Sequence, residues 1–232
     1  MFNFFKAQPL SLREVEATYT RTIAMASAGD LRKRVEIVAI DDQVFYPEAN
    51  LRNAGFNIIT KTDIQHIPEV APYPIILCDV NGIGTHLNPD GQGAYVIQEI
   101  KTNYPEKIVI AYTAGGLNQT IVRQAKLMSD GYLRKDDSID DWRNLLDSQI
   151  KIVLNPIETW KSLRIRLLQK EIELEDLMAL EQAVLKNVKS GGEITKEAVK
   201  NVLGGQVSSS PWKAEVVRFI ASKSFDLAFS FA

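Results

Sequence analysis

The chain has 232 residues, room for one domain of ordinary size and about half as much again, and 45% of them are hydrophobic, enough to bury a real core. Its 27 Lys and Arg against 29 Asp and Glu leave a net charge of −2, which argues against a generally basic nucleic-acid binder. No stretch approaches 18 uninterrupted apolar residues, no basic region followed by an apolar core opens the chain, and Cys78 is the only cysteine; these features speak against a membrane span, secretion and an intrachain disulfide, and for a cytoplasmic location.

In chain order, an aromatic start over residues 1–5 leads to a predicted helix over 11–28, with Ser11 and Glu14 placed as a capping box and Gly29-Asp30 as its stop. Residues 31–34 then lead into a first strand, 35–40, which ends at Asp41-Asp42. A helix over 43–53 ending at Gly55, a strand over 56–60 and a weak helix near 64–70 follow. Pro72 and Pro74 punctuate the entry to residues 74–79, a short apolar run of the kind buried on both faces, which stops abruptly at Asp79. Further helices are predicted over 92–103, 118–128 and 138–150, with strands 107–112 and 131–134 between them, ending at Thr113 and Lys135.

Strand and helix alternate as in a doubly wound α/β fold with a five-stranded parallel sheet, and such sheets place ligand sites at the carboxyl ends of their strands. The strand ends therefore bring Asp41, Asp42, Asp79, Thr113 and Lys135 to one edge. Clustered carboxylates repel one another unless a cation is present, and hard Mg²⁺ prefers oxygen ligands. An ion held by Asp42 and Asp79, with Asp41 close by, would orient a phosphoryl group, while Lys135 and the Thr113 hydroxyl hold its remaining oxygens. Charge agrees with this reading: residues 35–150 carry 16 acidic and 9 basic side chains, and the flanks together carry +5 without forming a basic stripe.

The order Asp41-Asp42, Asp79, Thr113-Ala114 and Lys135 over residues 35–150 resembles the receiver domain of bacterial two-component response regulators. That resemblance implies a flavodoxin-like fold, a phosphoacceptor at Asp79, Mg²⁺ bound by Asp41, Asp42, Asp79 and the main-chain carbonyl of Asn81, and a switch pair of Thr113 and Tyr132. It also implies a sensor histidine kinase or phosphotransfer protein as donor, and no enzymatic activity beyond self-phosphorylation from small donors and autodephosphorylation. Two departures stand out. The loop after Asp79 has Gly82-Ile83 where the family has Met-Pro, with its Asp90-Gly91 about four residues late, and Asp136 follows Lys135 where the family has proline. A trans link is expected at Asp136, because cis bonds cost several kcal/mol without proline. His86 in the long loop reads as a solvated side chain, and Cys78 as a small buried one.

The predicted organisation is an N-terminal helical extension over 1–34, a receiver-like domain over 35–150 and an all-α region over 151–232 for output or dimerisation. Asn155-Pro156 opens a helix expected to run to about residue 189, stopped by Ser190-Gly191-Gly192. A short helix over 194–203, a loop over 207–210, and a helix opened by Ser210-Pro211 with Val216, Phe219 and Ile220 on one face follow. In the tail, Phe225, Leu227, Phe229 and Phe231 alternate with a strand period. Lys170 and Glu181 interrupt a clean heptad, so a helical bundle, dimeric through these helices, is expected over an isolated zipper. The first reading is a phosphorylatable receiver whose helical flanks bind a protein partner or a second copy. The alternative is a pseudo-receiver scaffold without a phosphoryl cycle. A DNA-binding regulator lacks a recognition helix, and a haloacid-dehalogenase-type phosphatase expects an acid where Asn81 stands.

Overall fold

The structure, a computed structural model, describes residues 9–114, 120–190 and 210–230. Five strands form one parallel sheet in the order β2-β1-β3-β4-β5: β1 Glu36–Ile40, β2 Asn57–Lys61, β3 Ile75–Asp79, β4 Ile108–Thr113 and β5 Gly131–Arg134. This is the flavodoxin-like doubly wound order. The central strand β3 is buried at every residue, as a parallel strand covered by helices on both faces must be.

Helices α1 Leu12–Met25 and α2 Ala28–Arg34 precede the sheet. Within it, α3 Glu48–Asn53 joins β1 to β2, a 3₁₀ turn Ile67–Val70 precedes β3, and α4 Gln92–Asn103, α5 Thr120–Met128 and α6 Ile139–Val153 follow β3, β4 and β5. Beyond lie α7 Pro156–Gln169, α8 Leu174–Ser190, α9 Pro211–Ile220 and α10 Lys223–Ser230.

Several expectations are corrected. The helix over 11–28 is two helices, and Ser11 makes no side-chain cap bond; Ala26 and Ser27 are extended, and Ser27 caps α2 by accepting the Asp30 N–H at 3.1 Å. The region 43–53 is helical only from Glu48, because Pro47 has a fixed φ and no N–H and starts a helix rather than continuing one. The long helix over 155–189 is broken at residues 170–173. There the N–H of Ile172 donates to Leu167 O and that of Glu171 to Leu168 O, a Schellman ending with Glu171 in the left-handed region at φ 56°. The tail is not a strand: Phe225 and Phe229 lie four apart on α10, their ring centroids 4.6 Å apart. The expected short helix over 194–203, most of the loop over 207–210, Phe231 and the aromatic start lie outside the described residues.

The two faces of the sheet are covered differently. Ile37, Ala39, Ile75, Leu77, Ile110, Tyr112 and Leu133 face a core continuous with the buried residues of α1, α6, α7, α8, α9 and α10. Val38, Ile40, Ile76, Cys78, Val109 and Ala111 face a separate cluster under α4 and α5. Successive strand residues point to opposite faces, so the alternation follows from the pleat. Helix α1 packs on α7 and α8, with Lys161 paired to Glu16 at 2.5 Å and the backbone of Leu10 exchanging hydrogen bonds with Gln182. Arg32 on α2 grips Asp147 of α6 through two nitrogens, at 2.7 and 2.6 Å.

Candidate functional site

The parallel register carries four strand ends to one edge. Asp41 follows β1, its N–H still bonded to Lys61 O at 3.0 Å. Asp79 closes β3 opposite Tyr112, and Lys135 follows β5 with its N–H on Thr113 O at 3.1 Å. Asp41, Asp79 and Thr113 are buried, whereas Asp42 is exposed at the rim.

The side chains converge as their strand ends do. Lys135 Nζ lies 2.6 Å from Asp79 Oδ2 and 3.0 Å from Asp41 Oδ1. Asp41 Oδ1 also accepts the Gln43 N–H at 3.0 Å, and Asp79 Oδ1 accepts the Asn81 N–H at 3.2 Å. The Asn81 side-chain amide donates to the Thr113 hydroxyl at 2.5 Å. Burial pushes the Asp79 carboxyl up from its ordinary range, with the hydrogen bond from Lys135 opposing that shift. For Lys135, burial pulls downward, but the bonds to Asp79 and Asp41 outweigh it and hold the ammonium above its ordinary range.

One carboxylate oxygen from each of Asp41, Asp42 and Asp79 lies within 4.8 Å of the other two. Three acids against one ammonium leave unbalanced negative charge, and an all-oxygen donor set of this kind suits a hard divalent cation. The loop leaves space at this point: a Cβ on Gly82 would meet Asp42 Oδ2 at 2.4 Å, and the backbone there has φ 82°. Gly93 is needed too, because a Cβ would sit 2.1 Å from Asp79 O where α4 starts against the end of β3.

The long loop is tied down by residues the sequence reading did not single out for this role. Asp63 accepts the Gly84 N–H at 3.0 Å, and Gln92 accepts that of Gly82 at 2.9 Å while holding φ 45°. His86 is exposed, 3.7 Å from Asp63, and takes no part in the carboxylate cluster. Lys135 is followed by a trans link, and Asp136 pairs with Arg134 at 2.7 Å. Tyr132 packs on the α4 and α5 side, with the Lys126 ammonium 5.1 Å from its ring.

One contact was missed altogether: the Tyr112 hydroxyl lies 3.1 Å from both Asp41 Oδ2 and Ile40 O. The available signal was an aromatic residue with a polar tip at a buried strand end.

The chain is similar to response regulator receiver domains. A response regulator from Thermotoga maritima is 15% identical over 50% of this chain and 97% of its own, with a TM-score of 0.40. A CheY-like receiver domain protein from Methanospirillum hungatei JF-1 is 14% identical over 50% of this chain and 93% of its own, at 0.41. The receiver domain of NtrX from Brucella abortus is 21% identical over 50% of this chain and 98% of its own, at 0.40. No protein-family model and no curated protein sequence matches the chain. Among the described residues, no helix is long and apolar enough to cross a membrane.

Proposed function

We propose that the chain is a response-regulator-like signalling protein that accepts a phosphoryl group on Asp79 and uses its helical flanks to control contact with a second copy or a protein partner. The observation that carries this reading is Lys135 Nζ held between Asp79 and Asp41 beside unbalanced acidic charge. Mg²⁺ would be held by Asp41, Asp42, Asp79 and the Asn81 main-chain carbonyl, and supplies positive charge for the phosphoryl oxygens. An Asp79 carboxylate oxygen forms the bond to phosphorus as the bond from phosphorus to the donor atom breaks, an imidazole nitrogen in a phosphohistidine or an oxygen in acetyl phosphate, and the donor leaves with that electron pair. Lys135 moves its hydrogen bonds to the incoming oxygens, and the Thr113 hydroxyl exchanges its partner for one of them. A sensor histidine kinase or phosphotransfer protein is the expected donor, in the cytoplasm. Apolar side chains exposed around the turn from α7 to α8, namely Ile165, Leu168, Leu174 and Met178, favour contact through the C-terminal helices.

Intact-mass analysis with Mg²⁺ and acetyl phosphate tests the reading. A gain of one phosphoryl group by the parent and none by Asp79→Asn is the expected result; a parent that gains nothing overturns it. One observation favours the second reading, a scaffold without a phosphoryl cycle: the Thr113 hydroxyl is already engaged by the Asn81 side-chain amide within the site.

A further inference from the structure

The pair expected to report phosphorylation lies on the wrong side of the sheet to reach the bundle directly. Tyr132 packs with the α4 and α5 cluster, whereas α1, α7, α8, α9 and α10 bury their apolar faces in the cluster on the opposite face. Tyr112, one residue before Thr113, points to the bundle side because side chains alternate along a strand.

We propose that Tyr112 and Trp142 form the link that passes occupancy of the carboxylate site to the helical bundle, through the face of the sheet opposite Tyr132. The inference rests on the reading of Asp79 as a phosphoacceptor. Its first step is the Tyr112 hydroxyl, which has one proton and two acceptors at 3.1 Å, Asp41 Oδ2 and Ile40 O. Positive charge drawn to Asp41, or loss of Lys135 from it, changes the acceptor strength of that carboxylate and hence the position of the hydroxyl.

The second step is packing. The Tyr112 ring lies 5.4 Å from Trp142 and 5.5 Å from Phe45, and Phe45 lies 5.3 Å from Trp142, all between centroids. All three rings are buried, and the Trp142 indole N–H is buried without a hydrogen-bond partner among the described residues, none of which therefore anchors the indole through a polar contact. A close-packed interior transmits such a shift rather than absorbing it.

The third step is the helix itself. Trp142 sits in the first turns of α6, whose 15 residues span about 22 Å at 1.5 Å per residue. Only Leu154 and Asn155 separate α6 from α7, and Asn155 caps α7 by accepting the Ile157 N–H at 2.9 Å. With no loose linker between them, movement at Trp142 reaches the bundle as movement of α7.

Hydrogen exchange of the full chain, read on peptides covering residues 156–169 with phosphoryl occupancy measured by intact mass on the same samples, tests the link. In the parent, Mg²⁺ and acetyl phosphate are expected to change amide exchange in α7 about five-fold or more, the lower end of ordinary coupling. Trp142→Phe, at a side chain that makes no hydrogen bond to the carboxylates among the described residues, is expected to take up phosphoryl yet lose that change. Tyr112→Phe keeps the ring and is expected to lose the change at matched occupancy, so it serves equally if Trp142→Phe folds poorly; Tyr132→Ala is expected to retain it. A parental response in both Tyr112→Phe and Trp142→Phe at matched occupancy, or a parent that is phosphorylated with α7 unchanged, overturns the link alone. A parent that takes no phosphoryl group overturns the reading beneath it and the link together.

Discussion

Lys135 is the counter-ion of two buried acids, and its removal leaves Asp41 and Asp79 facing each other without compensation. Breaking a buried ion pair in this way costs roughly 3 kcal/mol. Lys135→Ala is therefore expected to lose about that much stability by urea denaturation without Mg²⁺, and to recover a large part of it when millimolar Mg²⁺ is added; equal losses under both conditions would count against a cation site. Thr113→Ala is expected to leave Asp79 phosphorylation detectable by mass, since the nucleophile and Lys135 remain, while removing whatever output depends on the inward hydroxyl. Lys107 offers a pH test elsewhere. Its ammonium donates to Ala71 O and Tyr73 O at 2.7 and 2.8 Å, and burial pulls its pKa down to about 8, with Glu106 opposing. The unfolded chain thus binds more protons than the folded one above that value. The parent should gain stability relative to Lys107→Met as pH rises from about 8 toward the ordinary lysine value of about 10.5, and a flat difference would contradict the assignment.

Among the elements, the break between α7 and α8 shows how a helix stop hides from sequence inspection. A Schellman ending ordinarily signals itself by glycine, and here Glu171 takes the left-handed position at a steric cost of roughly 1–2 kcal/mol. Burial of Ile172 behind the turn offsets that cost. Glu171→Gly is expected to raise the unfolding free energy by up to about 1 kcal/mol with helical content by circular dichroism unchanged; a loss of stability would mean that the Glu171 side chain contributes a contact of its own. The α10 tail misleads for a related reason. Phe225 and Phe229 satisfy a period of two and a spacing of four alike, and packing of Phe225 on Phe219, centroids 5.5 Å apart, selects the helix.

At the scale of the molecule, one apolar cluster runs from α1 through one face of the sheet into α7, α8, α9 and α10. Such continuity predicts that sheet and bundle unfold together. Guanidinium titrations followed by tryptophan fluorescence and by far-ultraviolet circular dichroism should give coincident transitions, and separate midpoints would show that the bundle melts independently. Self-association through the C-terminal helices belongs to the proposed reading. Size-exclusion light scattering is expected to report the mass of two chains, with or without a shift on phosphorylation.

Much of the sheet and its acidic edge was readable from residue order alone. Buried parallel strands are short apolar runs, their ends are where polar residues begin, and so Asp41, Asp79, Thr113 and Lys135 declared themselves; the helix over 92–103 and the strand over 131–134 have the predicted limits. What depended on distant contacts did not. Tyr112 reads as one more apolar strand residue until β1 brings Asp41 to its hydroxyl, Asp63 and Gln92 gain a role only once the long loop folds over them, and the α7 stop rests on burial of Ile172. Local pattern determines strand, helix and turn where one free-energy term dominates. Where two local states lie within about a kilocalorie per mole of each other, as in the aromatic tail and at residues 170–173, long-range packing makes the choice.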